Sequence, residues 1–113
     1  DRLNKLAEEG DVEGAEAVFG SLRAALPLFK TSTQRMAFNT MLKACANSGD
    51  MQRARVWYGQ LMAEGIPPNS KTFGKLIESA AKVGDTLVAE EWYQASLTSG
   101  LSSDAEHFAT LID

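Results

Sequence analysis

Cysteine is nearly missing from this sequence: Cys45 stands alone among 113 residues. A lone cysteine has no partner within the chain, so an internal disulfide is excluded. It falls on the apolar side of its segment and reads as a small buried hydrophobe rather than a reactive thiol. Histidine is as scarce, with His107 alone. No set of Cys, His and carboxylate residues stands at ligand spacing, so no metal site is expected. No nucleophile–base pair, phosphate-cradling loop or pair of catalytic carboxylates can be assembled. The chain is therefore not read as an enzyme, and no cofactor is expected. No apolar run approaches the roughly 18 residues that a membrane span requires. Stretches of alternating polar and apolar residues, the mark of strands, are absent. Positive charge is not in excess either. The net charge is −4, which at face value argues against a polyanionic partner. The chain opens with Asp1 and has no signal-like start, so its beginning is expected to have been removed by processing or truncation.

What the sequence does have is enough apolar material for a core, 44% against 23% charged, and a pattern that returns. Gly49 and Gly84 are 35 apart, and so are Asp50 and Asp85, Ala54 and Ala89, Trp57 and Trp92, Tyr58 and Tyr93, and Gly65 and Gly100. Phe38, Phe73 and Phe108 keep the same step, as do Met41, Leu76 and Leu111. A fixed period of this size marks a repeat array and outranks any local reading. An earlier copy, "EGDVEGAEAVFGSL", aligns Gly10, Asp11, Ala15 and Phe19 with Gly49, Asp50, Ala54 and Tyr58 at a step of 39. The extra residues are expected in "LPLFKTSTQ". The chain thus divides into a partial first repeat with an insertion over 1–34, a second repeat over 35–69, a third over 70–104, and the first helix of a fourth over 105–113.

Within a repeat, Met36, Phe38, Met41, Leu42, Cys45 and Ala46 follow spacings of three and four, one face of a helix. Met51, Ala54, Val56, Trp57, Tyr58 and Leu61 make a second such face. Between them, Gly49 suits the left-handed position that ends a helix, and Asp50 suits the N-cap of the next. The Gly-Asp pair recurs at 10–11 and 84–85. Pro67 and Pro68 break the chain after Gly65. The spacing predicts antiparallel helical hairpins with helices near 36–47, 51–64, 70–82 and 86–98, an all-α solenoid with a 35-residue period. The small Ala54 and Ala89 mark close helix approach. Trp57, Tyr58, Trp92 and Tyr93 read as inter-repeat core rather than as a base-stacking platform. Phe108, Leu111 and Ile112 would leave an apolar face at the end, so further repeats or a partner are expected to cover the chain ends.

The second copy, "MAFNTMLKACANSGDMQRARVWYGQLMAEGIPPN", resembles the pentatricopeptide repeat (PPR) family. The matching residues are Phe38, Asn39, Thr40, Leu42, Gly49, Ala54, Gly65, Ile66, Pro68 and Asn69. The third copy matches at Phe73, Leu76, Ile77, Gly84, Ala89, Gly100, Leu101 and Asp104. The tetratricopeptide repeat is the rival, but its period is 34 and it places a Gly early in the first helix, where Lys43 and Ala44 stand here. The PPR resemblance implies single-stranded RNA binding at one base per repeat, in a mitochondrion or plastid, by a segment of a longer array. The base would be read by a residue near the start of the first helix and by the last residue of the repeat. In the second copy these are Asn39 and Asn69, a pair similar to pyrimidine readers that favour cytosine, with Met36 as the apolar wedge. The third copy departs: Gly74 takes the reading position, Asp104 stands without a partner, and Lys71 replaces the wedge. The fourth has Ala109 at the reading position.

Charge supplies a separate expectation. The first helices carry Arg35, Lys43, Lys71, Lys75 and Lys82 against Glu78. Asn39, Lys43 and Asn47 share one helical stripe, and Gly74, Glu78 and Lys82 another. The second helix of the third repeat carries Asp85, Glu90 and Glu91 without a basic residue. A basic inner face and an acidic outer face follow. The other course is that these lysines are merely solvated and that the array is a protein-docking or scaffold subunit of a large organellar assembly, with no RNA readout of its own.

Overall fold

The computed structural model describes residues 1–99. The expectations for Asp104, His107, Phe108, Ala109, Leu111 and Ile112 lie outside the described residues. Among the described residues the chain forms α1 (Arg2–Glu8), α2 (Val12–Leu22), a short 3-10 turn (Leu26–Leu28), α3 (Thr31–Ser48), α4 (Met51–Ala63), α5 (Ser70–Lys82) and α6 (Thr86–Thr98), with no strand. The all-α expectation is met.

The turns explain why these helices pair. Gly10, Gly49 and Gly84 have φ of 71°, 71° and 78°, a left-handed backbone that L side chains rarely adopt. The residue after each glycine bonds back across it. The Asp11, Asp50 and Asp85 N–H groups donate to the carbonyls of Leu6, Cys45 and Ala80 at 3.0, 2.9 and 2.9 Å. The same aspartates then turn outward and cap the next helix. Their carboxylates accept from the N–H of Gly14, Arg53 and Val88 at 2.9, 3.0 and 3.1 Å. One dipeptide therefore ends one helix and begins its partner.

α4, α5 and α6 lie within a residue of their expected bounds. α3 does not: it starts at Thr31 rather than near 36. Part of the inserted segment is an added helical turn. The N–H groups of Thr33 and Gln34 both reach the Lys30 carbonyl at 3.0 Å. The Gln34 Nε2 donates to the Phe29 carbonyl at 2.9 Å. Pro27 sits in the 3-10 turn just before, where its missing N–H costs nothing.

The helices stack in two layers. α1, α3 and α5 lie side by side, while α2, α4 and α6 each pack on the helix that precedes them; α3 also packs against α2. The core between the layers holds Phe19, Phe38, Met41, Leu42, Leu61, Phe73 and Leu76, all fully buried. Trp57 and Trp92 are buried as expected. The Trp57 ring meets Phe19 edge-on at 4.7 Å, and Tyr58 meets Trp92 at 5.0 Å, separations at which aromatic pairs attract beyond their area burial. The Trp57 indole N–H donates to Glu16 at 3.0 Å, and Arg53 holds the other oxygen of that carboxylate at 2.8 Å. Val56 was expected on the apolar face but is 57% exposed. Ala54, Trp57 and Leu61 define the buried stripe, and two residues on from Ala54 the helix has turned through about 200°.

Of two further expectations, the buried thiol holds and the acidic outer face does not. Burial, with Asp50 and Glu16 adding to it, pushes the Cys45 thiol up to about 12, so it remains protonated near neutral pH. The outer layer is not uniformly acidic: α4 carries Arg53 and Arg55 without an acid. Both arginines are spent between hairpins, Arg53 on Glu16 and Arg55 over the Trp92 ring at 5.2 Å.

Trp57→Ala and Trp92→Ala should each destabilise the chain by about 3–5 kcal/mol in urea melts, the usual cost of emptying a buried aromatic site. A loss below about 1 kcal/mol would mean that the rings do not hold the layers together. Gly49→Ala should cost more than Gly84→Ala. Both force an L residue into the left-handed region at about 1–2 kcal/mol. Only at Gly49 would the new methyl also meet Val83 at 2.9 Å and Lys82 at 3.2 Å, whereas nothing lies within 4 Å at Gly84. Equal losses would show that the Gly49 turn does not bear on the next one.

Candidate functional site

The chain between α4 and α5 sets the site. Gly65 ends α4 with φ of 73°, and the Ile66 N–H returns to the Leu61 carbonyl at 3.3 Å while both side chains are buried. Pro67 and Pro68 prevent the helix from resuming. Asn69 then caps α5 in a reciprocal box. Its Oδ1 accepts the Thr72 N–H at 3.1 Å, and its own N–H donates to the Thr72 hydroxyl at 3.1 Å. The side chain of Asn69 is thereby fixed at the foot of α5, facing α3.

There it meets Asn39. The Asn39 Nδ2 donates to Asn69 Oδ1 at 3.1 Å, and the Thr72 hydroxyl donates to Asn39 Oδ1 at 2.7 Å. The two asparagines, 30 positions apart, form one side-chain unit. They line a groove of about 360 Å³ between α3 and α5 together with Met36, Lys43, Lys71 and Lys75. Ser32, Arg35 and Thr40 also line it, and among the described residues no carboxylate does. Met36 is 63% exposed, an apolar side chain held out on the rim.

The cations of the groove are not equally free. Lys43 Nζ donates to Asn4 at 2.9 Å and lies 3.6 Å from the Glu8 carboxylate, both on α1. Lys75 pairs with Glu78 at 3.3 Å. Arg35 donates to the Pro67 carbonyl, which carries no charge, at 3.2 Å and makes no ion pair among the described residues. Lys71 is exposed and makes no ion pair among the described residues. Exposed pairs neutralise little free energy, commonly under about 1 kcal/mol, so the groove retains positive character, strongest at Arg35 and Lys71.

Three of the sequence-predicted residues stand elsewhere. The Asn47 amide donates to the Ala7 carbonyl at 2.8 Å and so closes the C-terminal end of α1. Lys82 does not line the groove. It sits at the far end of α5, about 16 Å along the axis from Lys71, beside Gly49. Gly74 is buried in α5, with open space where a side chain would project, and it does not line this groove. Its expected partner Asp104 lies outside the described residues. Thr72 was overlooked. Its only signal in the sequence is the spacing Asn69-x-x-Thr72 after two prolines, a capping-box arrangement.

The arrangement presents amide donors in a groove lined by four cationic side chains. Among the described residues no three His, Cys, Asp or Glu side chains come together to hold a metal, and no described helix is long and apolar enough to cross a membrane. A scan against protein families matches the PPR repeat family over residues 35–82. That span begins at Arg35, ends at Lys82, and contains the whole groove except Ser32. Searches of curated proteins and of solved structures found no match.

Asn47→Ala should destabilise by about 0.5–1.5 kcal/mol, the usual contribution of one intramolecular hydrogen bond. Hydrogen exchange should localise the loss to α1. An unchanged melt together with unchanged α1 protection would show that Asn47 does not fasten α1.

Proposed function

We propose that the chain is a PPR-like helical-repeat module whose groove between α3 and α5 takes one base of single-stranded RNA. The hairpins would form part of an α-solenoid with a 35-residue repeat, and the compartment would be a mitochondrion or plastid. The observation that carries this reading is the hydrogen-bonded Asn39–Asn69 pair set in a groove with four cationic side chains and, among the described residues, no carboxylate. The PPR family match over 35–82 supports it, because members of that family generally bind RNA. Unstacked bases are read on their edges by a few side chains and packed against neighbouring ones. Here Asn39 and Asn69 would read the edge, with a pyrimidine, cytosine above all, as the preferred base. Met36 and Lys71 would bracket the ring, and Arg35, Lys71 and Lys75 would meet the flanking phosphates. Lys43 contributes less, since Glu8 stands beside it.

Magnitudes bound the affinity. Edge readout contributes about 1–3 kcal/mol and base packing about 1–3 kcal/mol. Nanomolar binding needs about 12 kcal/mol. One complete groove therefore binds weakly, and tight binding requires several in series.

A second reading, a docking or scaffold subunit of a large organellar assembly, draws on a different surface. Beside the groove lies an apolar cavity of about 340 Å³ lined by Leu22, Leu26, Phe29 and Met36, and Leu28 near it is 85% exposed. The apolar side of a partner helix or loop would suit it.

Titration of the isotopically labelled 113-residue chain with short cytidine, uridine and purine oligonucleotides, at two salt concentrations, tests both readings. The first expects shifts at the side-chain amides of Asn39 and Asn69, strongest for cytidine and weakened by salt. Asn39→Ala should weaken cytidine binding about tenfold, within the range of one base readout, and leave purine binding nearly unchanged. Lys71→Ala should weaken all sequences alike, since phosphate contacts carry no sequence information. An absence of salt-dependent binding to any oligonucleotide would favour the docking reading.

A further inference from the structure

We propose that Thr72 is the positioning residue that sets which atoms of Asn39 and Asn69 face the groove, and so sets the base selectivity of the site. This rests on the base-reading function proposed above. Thr72 is fully buried and lines no part of the groove, so it would touch no ligand. It would act through the two amides.

The orientation follows from counting donors and acceptors. A carboxamide oxygen accepts two hydrogen bonds, its nitrogen donates two, and a hydroxyl has one proton to give. The starting point is the backbone N–H of Thr72, which can only donate, and which donates to Asn69 Oδ1 at 3.1 Å. That fixes the Asn69 amide with its oxygen inward. The second lone pair of the same oxygen takes Asn39 Nδ2 at 3.1 Å. The Thr72 hydroxyl lies 2.7 Å from Asn39 Oδ1 and 3.1 Å from Asn69 Oδ1. The second of these oxygens is already full, so the hydroxyl proton goes to Asn39. With Asn39 turned over, its oxygen would confront the oxygen of Asn69, acceptor against acceptor. The N-terminus of α5 therefore selects the orientation of Asn69, the Asn69 oxygen selects that of Asn39, and the Thr72 hydroxyl makes the second of the two bonds that keep Asn39 in place.

What remains for a ligand is mainly donors: both N–H bonds of Asn69 and one of Asn39, against one lone pair on Asn39. A donor edge suits a base that presents adjacent acceptors. Cytosine does so with O2 and N3. Uracil places an N–H between its two carbonyls, and guanine places two N–H donors beside its one. Without the hydroxyl, Asn39 keeps only its bond to Asn69 and swings about it, so its spare N–H and lone pairs are no longer held in register with the base. Selectivity then falls while the shape and charge of the groove remain.

Thr72→Val removes the hydroxyl at nearly constant shape, and Thr72→Ser restores it. Two measurements on the 113-residue chain decide the matter. In the free protein, the Asn39 side-chain amide resonances should shift and exchange faster in Thr72→Val, and should return toward wild type in Thr72→Ser. In titrations, the ratio of oligocytidine to oligouridine affinity should fall about fivefold or more in Thr72→Val and recover in Thr72→Ser. A merely structural role would weaken both oligonucleotides by one factor and leave the ratio intact, which would overturn the proposal. Wild-type amide signals in Thr72→Val would overturn it as well. Thr72→Ala carries the same expectations should the valine variant not fold. If the wild type binds neither oligonucleotide, the base-reading function fails and selectivity by Thr72 fails with it. The amide signals separate that outcome from a failure of the positioning step, because they are read without RNA.

Discussion

The left-handed glycine followed by aspartate is the constraint on which the rest of the fold depends. A helix end leaves four carbonyls without partners and the next helix start leaves four N–H groups. In a turn this short, the backbone must satisfy several of them at once while reversing direction. Gly10, Gly49 and Gly84 supply the reversal, and Asp11, Asp50 and Asp85 supply both the backward bond and the forward cap. With the turn fixed, the two helices of a hairpin can meet only along one face each. That face is where the fully buried residues Phe19, Phe38, Phe73, Leu61 and Leu76 lie.

The polar side chains then divide by what they serve. Glu16 looks like an ordinary surface acid but satisfies the Trp57 indole and holds Arg53. Asn47 looks like a groove residue but fastens α1, and Lys43, which does line the groove, fastens α1 as well. Asn39 and Asn69 differ in kind: their bonds to each other and to Thr72 leave N–H groups unspent. A polar group that is oriented by the protein and still has bonding capacity is suited to recognition. One whose capacity is exhausted is part of the scaffold.

This division marks how far the sequence could be read. Helix bounds, left-handed glycines and buried tryptophans follow from spacing and local backbone preference, which act over a few residues. Met36, Asn39, Asn69, Lys71 and Lys75 were all singled out in the sequence and do line one groove, because the repeat places a helix start beside the end of the preceding unit. The spending of Lys43 and Asn47 on Asn4 and Ala7 spans about 40 positions, and nothing in the local pattern announces such a bond. The early start of α3 was hidden for another reason. Thr31, Ser32 and Thr33 are indifferent helix formers, and the added turn rests on Gln34 reaching back to Phe29. Thr72 escaped because a buried threonine in an apolar helix face looks like packing.

Met36 and Thr40 line both the basic groove and the apolar cavity beside it, so α3 presents one pair of side chains to two compartments. At these two positions the surfaces are not separable traits. A change there that suited one would be felt at once by the other, so substitutions at Met36 or Thr40 are pleiotropic. Asn69 and Phe29, each confined to a single compartment, are where the two could diverge independently.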